Sequence, residues 1–222
     1  MNSNIINTIY LALAYSLLFT SAEFLYHKLK IRADITRKYV HIVTGLLTLL
    51  FPPLIGNHWL VLILCGSFFF ILLLSLKFDL LPSINKIKRP TLGSIFYPVV
   101  VFLCYLAYEH RNHNLIYFYL PVLTLAICDP VAEFVGKTYK LGKYKIHGHT
   151  KTLIGSTGFF VSSFILSMIL VIYLSNKDII SALPFVICIA FTTTIAESLA
   201  WKGYDNLTIP AIAMANLLYF NL

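Results

Sequence analysis

Long apolar runs alternate with short basic clusters along all 222 residues. A bilayer core about 30 Å thick needs about 20 apolar residues per helix. The pattern predicts eight spans, at about 5–26, 39–56, 58–76, 92–108, 115–136, 152–174, 179–200 and 207–222. Only helices fit, because lipid leaves every unpaired backbone group unsatisfied. Strands of about ten residues with alternating polarity, as in an outer-membrane barrel, are not visible. The expected fold is all-α, a polytopic transmembrane bundle. Residues 1–222 form a single integral membrane domain with a basic cytoplasmic loop at 137–151.

The basic residues test this division. The loops after spans 1, 3, 5 and 7 hold fifteen of the seventeen Lys and Arg, and the opposite loops hold only Arg111 and Lys177. A miscounted span would scramble that alternation. The basic side is read as cytoplasmic, which puts both termini outside and suggests the cell inner membrane. In segment 77–90, Phe78, Leu80, Leu81, Ile84 and Ile87 alternate with polar and basic residues. It reads equally as a short interfacial helix or a plain loop.

Composition narrows the class. The chain is 59% hydrophobic and 12% charged, with mean hydropathy +0.81. Soluble domains carry about 25% charged residues, so a soluble core is excluded and no second soluble domain fits. The net charge of +8 is accounted for by loops facing anionic lipid, and nucleic acid is not an expected partner. Cys65, Cys104, Cys128 and Cys188 lie in apolar runs with no CxxC pair, which reads as small buried residues without disulfide or zinc. The first apolar run lacks a basic n-region and a small-residue cleavage site, so it is expected to be kept as a span.

The uncommon polar residues gather on the basic side. Arg37, Lys38 and His41 stand where span 2 begins, and Asp129 and Glu133 in the last turns of span 5. Lys151 enters span 6, Glu197 lies near the end of span 7, and Asp205 and Asn206 precede span 8. Ionisable groups near membrane depth are costly and mark functional sites. At i, i+4, Asp129 and Glu133 project from one helix face. That spacing suits a Mg²⁺ bridging phosphate oxygens, although by spacing alone a pair of salt bridges to nearby Lys residues is the more ordinary reading.

The segment 136–158 carries Gly136, Gly142, Gly148, Gly155 and Gly158 among five Lys. Glycines let backbone N–H groups approach a phosphate, although the P-loop pattern is absent and a plain positive-inside loop has the same composition. "IGSTG" opens span 6, where free N–H groups form an anion site. His147 and His149 lack a third ligand, so zinc is not expected. His41 reads as a general base, a phosphate donor or an ordinary interfacial His. Trp59 and Trp201 read as interfacial anchors, and Tyr97-Pro98 as a helix kink. Asp205 and Asn206 read as ligands of metal or ribose, or as caps of the last helix.

Four stretches occur in order: "RKYVHIVTG" (37–45), "GSIFYPVVV" (93–101), "DPVAEFVGKTYKLGKYKIHGHTKTLIGS" (129–156) and "ESLAWKGYDNLTIP" (197–210). Together they resemble the phytol kinase and dolichol kinase family, CTP-dependent kinases of isoprenoid alcohols and related lipids, over about residues 37–215. Yeast-type diacylglycerol kinases that use CTP are similar, and CDP-diacylglycerol synthases are more distant. The chain departs from the family pattern at Cys128, where Gly is usual, and at Ile154, where Glu is common.

The resemblance implies phosphorylation of a membrane lipid alcohol, such as phytol, geranylgeraniol or a polyprenol, at the cytoplasmic face. CTP, the alcohol and membrane lipids are the implied partners, and Mg²⁺ the cofactor. The implied catalytic residues are Asp129, Glu133, Lys151 and His41. Arg37, Lys38, Lys137, Thr152, Gly155, Ser156, Asp205 and Asn206 are implied for nucleotide and phosphate. Asp129, Glu133 and Glu197 are implied for metal. The base stays open between His41, Asp129 and Glu197. The alternatives are a phosphatidate cytidylyltransferase-like CDP-lipid synthase and a CTP-dependent diacylglycerol kinase. A transporter would place its ionisable groups near the midplane instead.

Overall fold

The computed structural model describes residues 3–86 and 92–222. Its helices are α1 (Ser3–His27), α2 (Ala33–Thr48), α3 (Phe51–Leu54), α4 (His58–Lys77), α5 (Pro82–Asn85), α6 (Gly93–His110), α7 (Ile116–Leu123), α8 (Asp129–Tyr139), α9 (Leu153–Ser175), α10 (Ile179–Leu199) and α11 (Asp205–Phe220). A π-helical turn, Thr124–Cys128, joins α7 to α8 as one continuous rod.

A long helical segment stands at each of the eight expected spans. Among the described residues, five helical segments are long and apolar enough to cross a membrane: α1, α4, the α7–α8 rod, α9 and α10. The other three are shorter, with 16 residues in α2, 18 in α6 and 16 in α11. A 16-residue helix is only ~24 Å long. The crossing helices turn large apolar side chains outward, among them Leu17, Ile63, Phe70, Ile165 and Ile187. An apolar exterior of that extent suits lipid and not water.

Helix α2 begins six residues before the expected position 39. Its Ala33, Thr36, Val40 and Thr48 are buried on one side. Arg37, Lys38 and His41 occupy another side and face a cleft within the protein, so they need no loop to reach water. The rod α7–α8 is central, with every residue of α7 buried except the half-buried Tyr119. It touches α2, α6, α9 and α11, while α9 packs on α8 and α10, and α4 packs on α6. Gly45 of α2 makes the closest approach: a Cβ there would lie 2.2 Å from the Ala126 Cβ. Only glycine permits that contact between α2 and the π turn.

The connecting segments carry structure of their own. The basic loop contains a β-hairpin, β1 (Lys143–Ile146) and β2 (His149–Thr152), paired antiparallel with Tyr144 opposite Lys151. Its two-residue turn has His147 at φ +47° and Gly148 at φ +79°, the left-handed pair that matches strand twist. Beyond Lys77, which ends α4, the described part of 77–90 is helical only over Pro82–Asn85, and 87–91 lie outside the described residues. That turn is docked onto the bundle. Glu23 accepts from the Ser83 N–H and hydroxyl, and the Thr36 hydroxyl donates to the Ser83 carbonyl. Ile84 is buried with Leu18, Ala22 and Val40.

Candidate functional site

The C-terminal ends of α1 and α10, the N-terminal ends of α2, α9 and α11, strand β2, and α8 from its first residue Asp129 to Lys137 surround a polar cleft of about 870 Å³. Every candidate site residue lines it: Arg37, Lys38, His41, Asp129, Glu133, Lys137, Lys151, Thr152, Gly155, Ser156, Glu197, Asp205 and Asn206. Residues from segments as far apart in sequence as 37 and 206 share one wall system because alternate helix ends point the same way.

The carboxylates divide by partner. Glu133 is engaged at both oxygens, by Lys137 on its own helix and by Lys38 of α2 at 3.3 Å. Glu197 bonds Lys151 at 2.6 Å through Oε1, and Lys151 also donates to the Glu197 main-chain carbonyl. The second oxygen of Glu197 is buried without a hydrogen-bond partner among the described residues. Asp129 makes no hydrogen bond or ion pair among the described residues, and it faces Asp205, Glu197, Glu133 and Lys151. Asp205 accepts the N–H of Asn206 at 2.9 Å.

No three His, Cys, Asp or Glu side chains among the described residues are grouped as a metal cage. Mg²⁺ usually takes one or two carboxylates and completes its shell with water and phosphate oxygens. The unpartnered carboxylate of Asp129 and the orphaned oxygen of Glu197 fit that demand. Glu133, held between two ammonium groups, has less to offer.

The cationic side is uneven. Arg37 has no carboxylate partner among the described residues, whereas Lys38, Lys137 and Lys151 all do. The glycines have packing and turn roles in the structure. The N–H of Gly155 donates to the Thr152 hydroxyl, which caps α9. A Cβ on Gly136 would meet that hydroxyl at 2.6 Å and the Gly155 Cα at 3.3 Å. Gly136 and Gly155 therefore serve close packing of α8 on α9, the role small residues have in membrane bundles. Gly142 and Gly148 take positive φ and shape the hairpin. Ser156 is paired with the Tyr144 hydroxyl at 2.8 Å. Asn206 donates to the Gly93 carbonyl at 2.7 Å, tying α11 to α6.

A second cavity, of about 90 Å³, lies between α1, α2, α4 and α6. Its wall is chiefly apolar and aromatic, including Tyr15, Phe68, Leu72, Tyr97, Pro98 and Val101. Arg37, His41 and Asn206 line both this cavity and the polar cleft. The apolar cavity and the cleft thus meet at three side chains. His41 is fixed there by a 3.1 Å bond from Nε2 to the Leu125 carbonyl and by the edge-to-face ring of Tyr97.

The sequence alone did not disclose this apolar cavity or the surroundings of Trp201. That indole lines the cleft and lies 4.0 Å, centroid to centroid, from the ring of His147 at the hairpin tip. The alternation in "KYKIHGHTKT", folding about His147-Gly148, was the available signal for the hairpin that brings them together.

A helical membrane protein with a charged cleft opening beside an apolar cavity is the class defined by this geometry. The chain is similar to two proteins named as phytol kinases. It is 28% identical to "Phytol kinase" of Synechocystis sp. over 182 residues, covering 80% of this chain and 76% of that protein. It is also 28% identical to "Probable phytol kinase 1, chloroplastic" of Glycine max over 208 residues, covering 83% of this chain and 66% of that protein. No family model and no solved structure matches the chain. The resemblance carried by the four sequence stretches is borne out by these relatives.

Proposed function

We propose that this protein is a Mg²⁺- and CTP-dependent kinase of a prenol-type lipid alcohol. The observation that carries the reading is the shared wall of Arg37, His41 and Asn206 between the polar cleft and the apolar cavity. A kinase of a lipid alcohol must bring a hydrophilic triphosphate and a hydrophobic alcohol together at one point. Similarity to phytol kinases supports the substrate class. The one-sided distribution of Lys and Arg supports a cytoplasmic cleft, eight crossings and outward termini.

In this reading Arg37 and Lys151 neutralise phosphate oxygens. Lys38 and Lys137, held by Glu133, extend the cationic wall. Phosphoryl transfer depends on such positioning and charge neutralisation more than on covalent chemistry. Asp129 and Glu197 would hold Mg²⁺, which when bound neutralises charge on the phosphates. The few carbons next to the hydroxyl occupy the apolar cavity, and the rest of the chain passes toward lipid.

The test is incubation of the purified protein with Mg²⁺, γ-labelled CTP and a panel of phytol, geranylgeraniol, a polyprenol and diacylglycerol. Label on a prenol supports the reading. Absence of label on every lipid ends it, and label on diacylglycerol alone redirects it to that substrate. With α-labelled CTP and phosphatidate, label in lipid would instead identify a cytidylyltransferase.

A further inference from the structure

We propose that His41 is the general base of the transfer, receiving the substrate's hydroxyl proton at Nδ1. The inference rests on the lipid-alcohol kinase reading and supplies the proton acceptor it lacks.

Position comes first. A hydroxyl entering from the apolar cavity meets the cleft at Arg37, His41 and Asn206. A guanidinium carries no acceptor, and the Asn206 amide is neutral. Its Nδ2 is bonded to the Gly93 carbonyl. His41 is therefore the basic acceptor at the junction. None of the carboxylates of Asp129, Glu133, Glu197 or Asp205 lines the apolar cavity.

The tautomer is fixed by geometry. A carbonyl oxygen only accepts, so the 3.1 Å contact between Nε2 and Leu125 places the proton on Nε2. Nδ1 is then the bare nitrogen, and it has no hydrogen-bond partner among the described residues. This is the usual logic of a positioned histidine base, with one nitrogen anchored and the other presented.

The fold supplies the anchor deliberately. In the π register of Thr124–Cys128, the donor for the Leu125 carbonyl would be the N–H of residue 130. Pro130 has none, so that carbonyl is left for a side chain. Gly45, one turn after His41, lets α2 approach the π turn closely enough to reach it. The charged groups that face the imidazole are Arg37 on α2, Glu133 on α8 and Asp205 on α11. The Tyr97 ring of α6 flanks it.

The step balances without a further reagent. The alcohol oxygen forms a bond to the γ-phosphorus of the nucleoside triphosphate. The bond from that phosphorus to the β-phosphate oxygen breaks, and the nucleoside diphosphate leaves with the electron pair. The hydroxyl proton moves to Nδ1 and from there to water in the cleft.

The experiment uses the full chain in detergent with CTP, Mg²⁺ and phytol. His41→Ala is expected to lower kcat by about 100-fold or more, with KM for both substrates little changed. Added imidazole should restore part of that kcat. His41→Gln keeps a donor for the Leu125 carbonyl but has no basic nitrogen, so it should fold normally and be as slow as His41→Ala. A Gln variant with wild-type kcat, or a folded Ala variant untouched by imidazole, overturns the assignment and leaves the kinase reading standing. If wild-type protein phosphorylates no lipid alcohol, the kinase reading fails first and takes this assignment with it.

Discussion

The ammonium of Lys151 bonds both the carboxylate and the main-chain carbonyl of Glu197, so one hairpin side chain closes the last turn of α10. The last carbonyls of a helix lack intrahelical donors, and a cation there also meets the negative end of the helix dipole. The pair is largely buried, its side chains 19% and 10% exposed. Removing one member of a buried pair strands the other charge, at a cost of about 3–5 kcal/mol. Lys151→Met should therefore lower stability by that order, measured by denaturation in detergent. Glu197→Gln should cost less, because an amide oxygen still accepts. A double change to Met and Leu should recover most of the loss. A Lys151→Met protein as stable as its parent would show that the pair is not desolvated.

Asp129 and Glu133 stand one helical turn apart yet have different surroundings, and they should respond differently to neutralisation. Asp129→Asn removes a carboxylate with no ion-pair partner and should lower kcat by about 100-fold or more while weakening Mg²⁺ dependence. Glu133→Gln releases Lys38 and Lys137, whose ammonium groups are partly exposed. Such pairs contribute about 0–1 kcal/mol, so stability should hardly move. The expected effect is a raised KM for the nucleotide with Mg²⁺ dependence retained. Mg²⁺ titrations of both variants check this. Equal loss of Mg²⁺ affinity in the two would assign the ion to both carboxylates.

The sequence showed the helical class and the gathering of polar groups because both depend on local pattern: apolar run length, and loop charge that alternates from side to side. It did not show which carboxylate is spent on an ion pair. Spacing places Asp129 and Glu133 on one face, but Lys38, which helps to hold Glu133, arrives from another helix. The glycines of 136–158 were ambiguous for the same reason. A glycine needed for a phosphate and one needed for a neighbouring helix look alike until Gly136 is seen against Gly155. Pro130 is plain in the sequence, but that the Leu125 carbonyl it leaves free meets His41 is a tertiary fact.

Helix α8 lies against α9 with almost no space at its glycines. A methyl on Gly136 or Gly155 would come within 3 Å of the Thr152 hydroxyl, the group that caps α9. Overpacking of this kind costs about 1–3 kcal/mol. Gly136→Ala should destabilise the protein by that order and raise KM for the nucleotide, since Thr152 and Lys151 ride on the displaced strand. Gly148→Ala meets no atom within 4 Å but has φ +79°. It should disturb only the hairpin tip. Thermal unfolding and nucleotide KM of the two variants provide the comparison, and a neutral Gly136→Ala would refute the packing role.

Tyr97 and Tyr15 both border the apolar cavity, and their hydroxyls differ in one respect. The Tyr15 hydroxyl is bonded to Thr48 at 2.9 Å, while the buried Tyr97 hydroxyl faces the same Thr48 side chain without a hydrogen bond of normal geometry among the described residues. Losing a satisfied buried bond costs about 0.5–1.5 kcal/mol, whereas removing an unsatisfied polar atom is neutral or stabilising. Tyr15→Phe should therefore lower stability, and Tyr97→Phe should leave it unchanged or raise it. If the cavity seats the hydroxyl-bearing end of the lipid, filling it has a separate signature. Val101→Trp should raise KM for the alcohol and leave KM for the nucleotide near wild type, because Val101 lines the apolar cavity and not the cleft. A Val101→Trp enzyme with unchanged KM for the alcohol would place the chain elsewhere on the bundle.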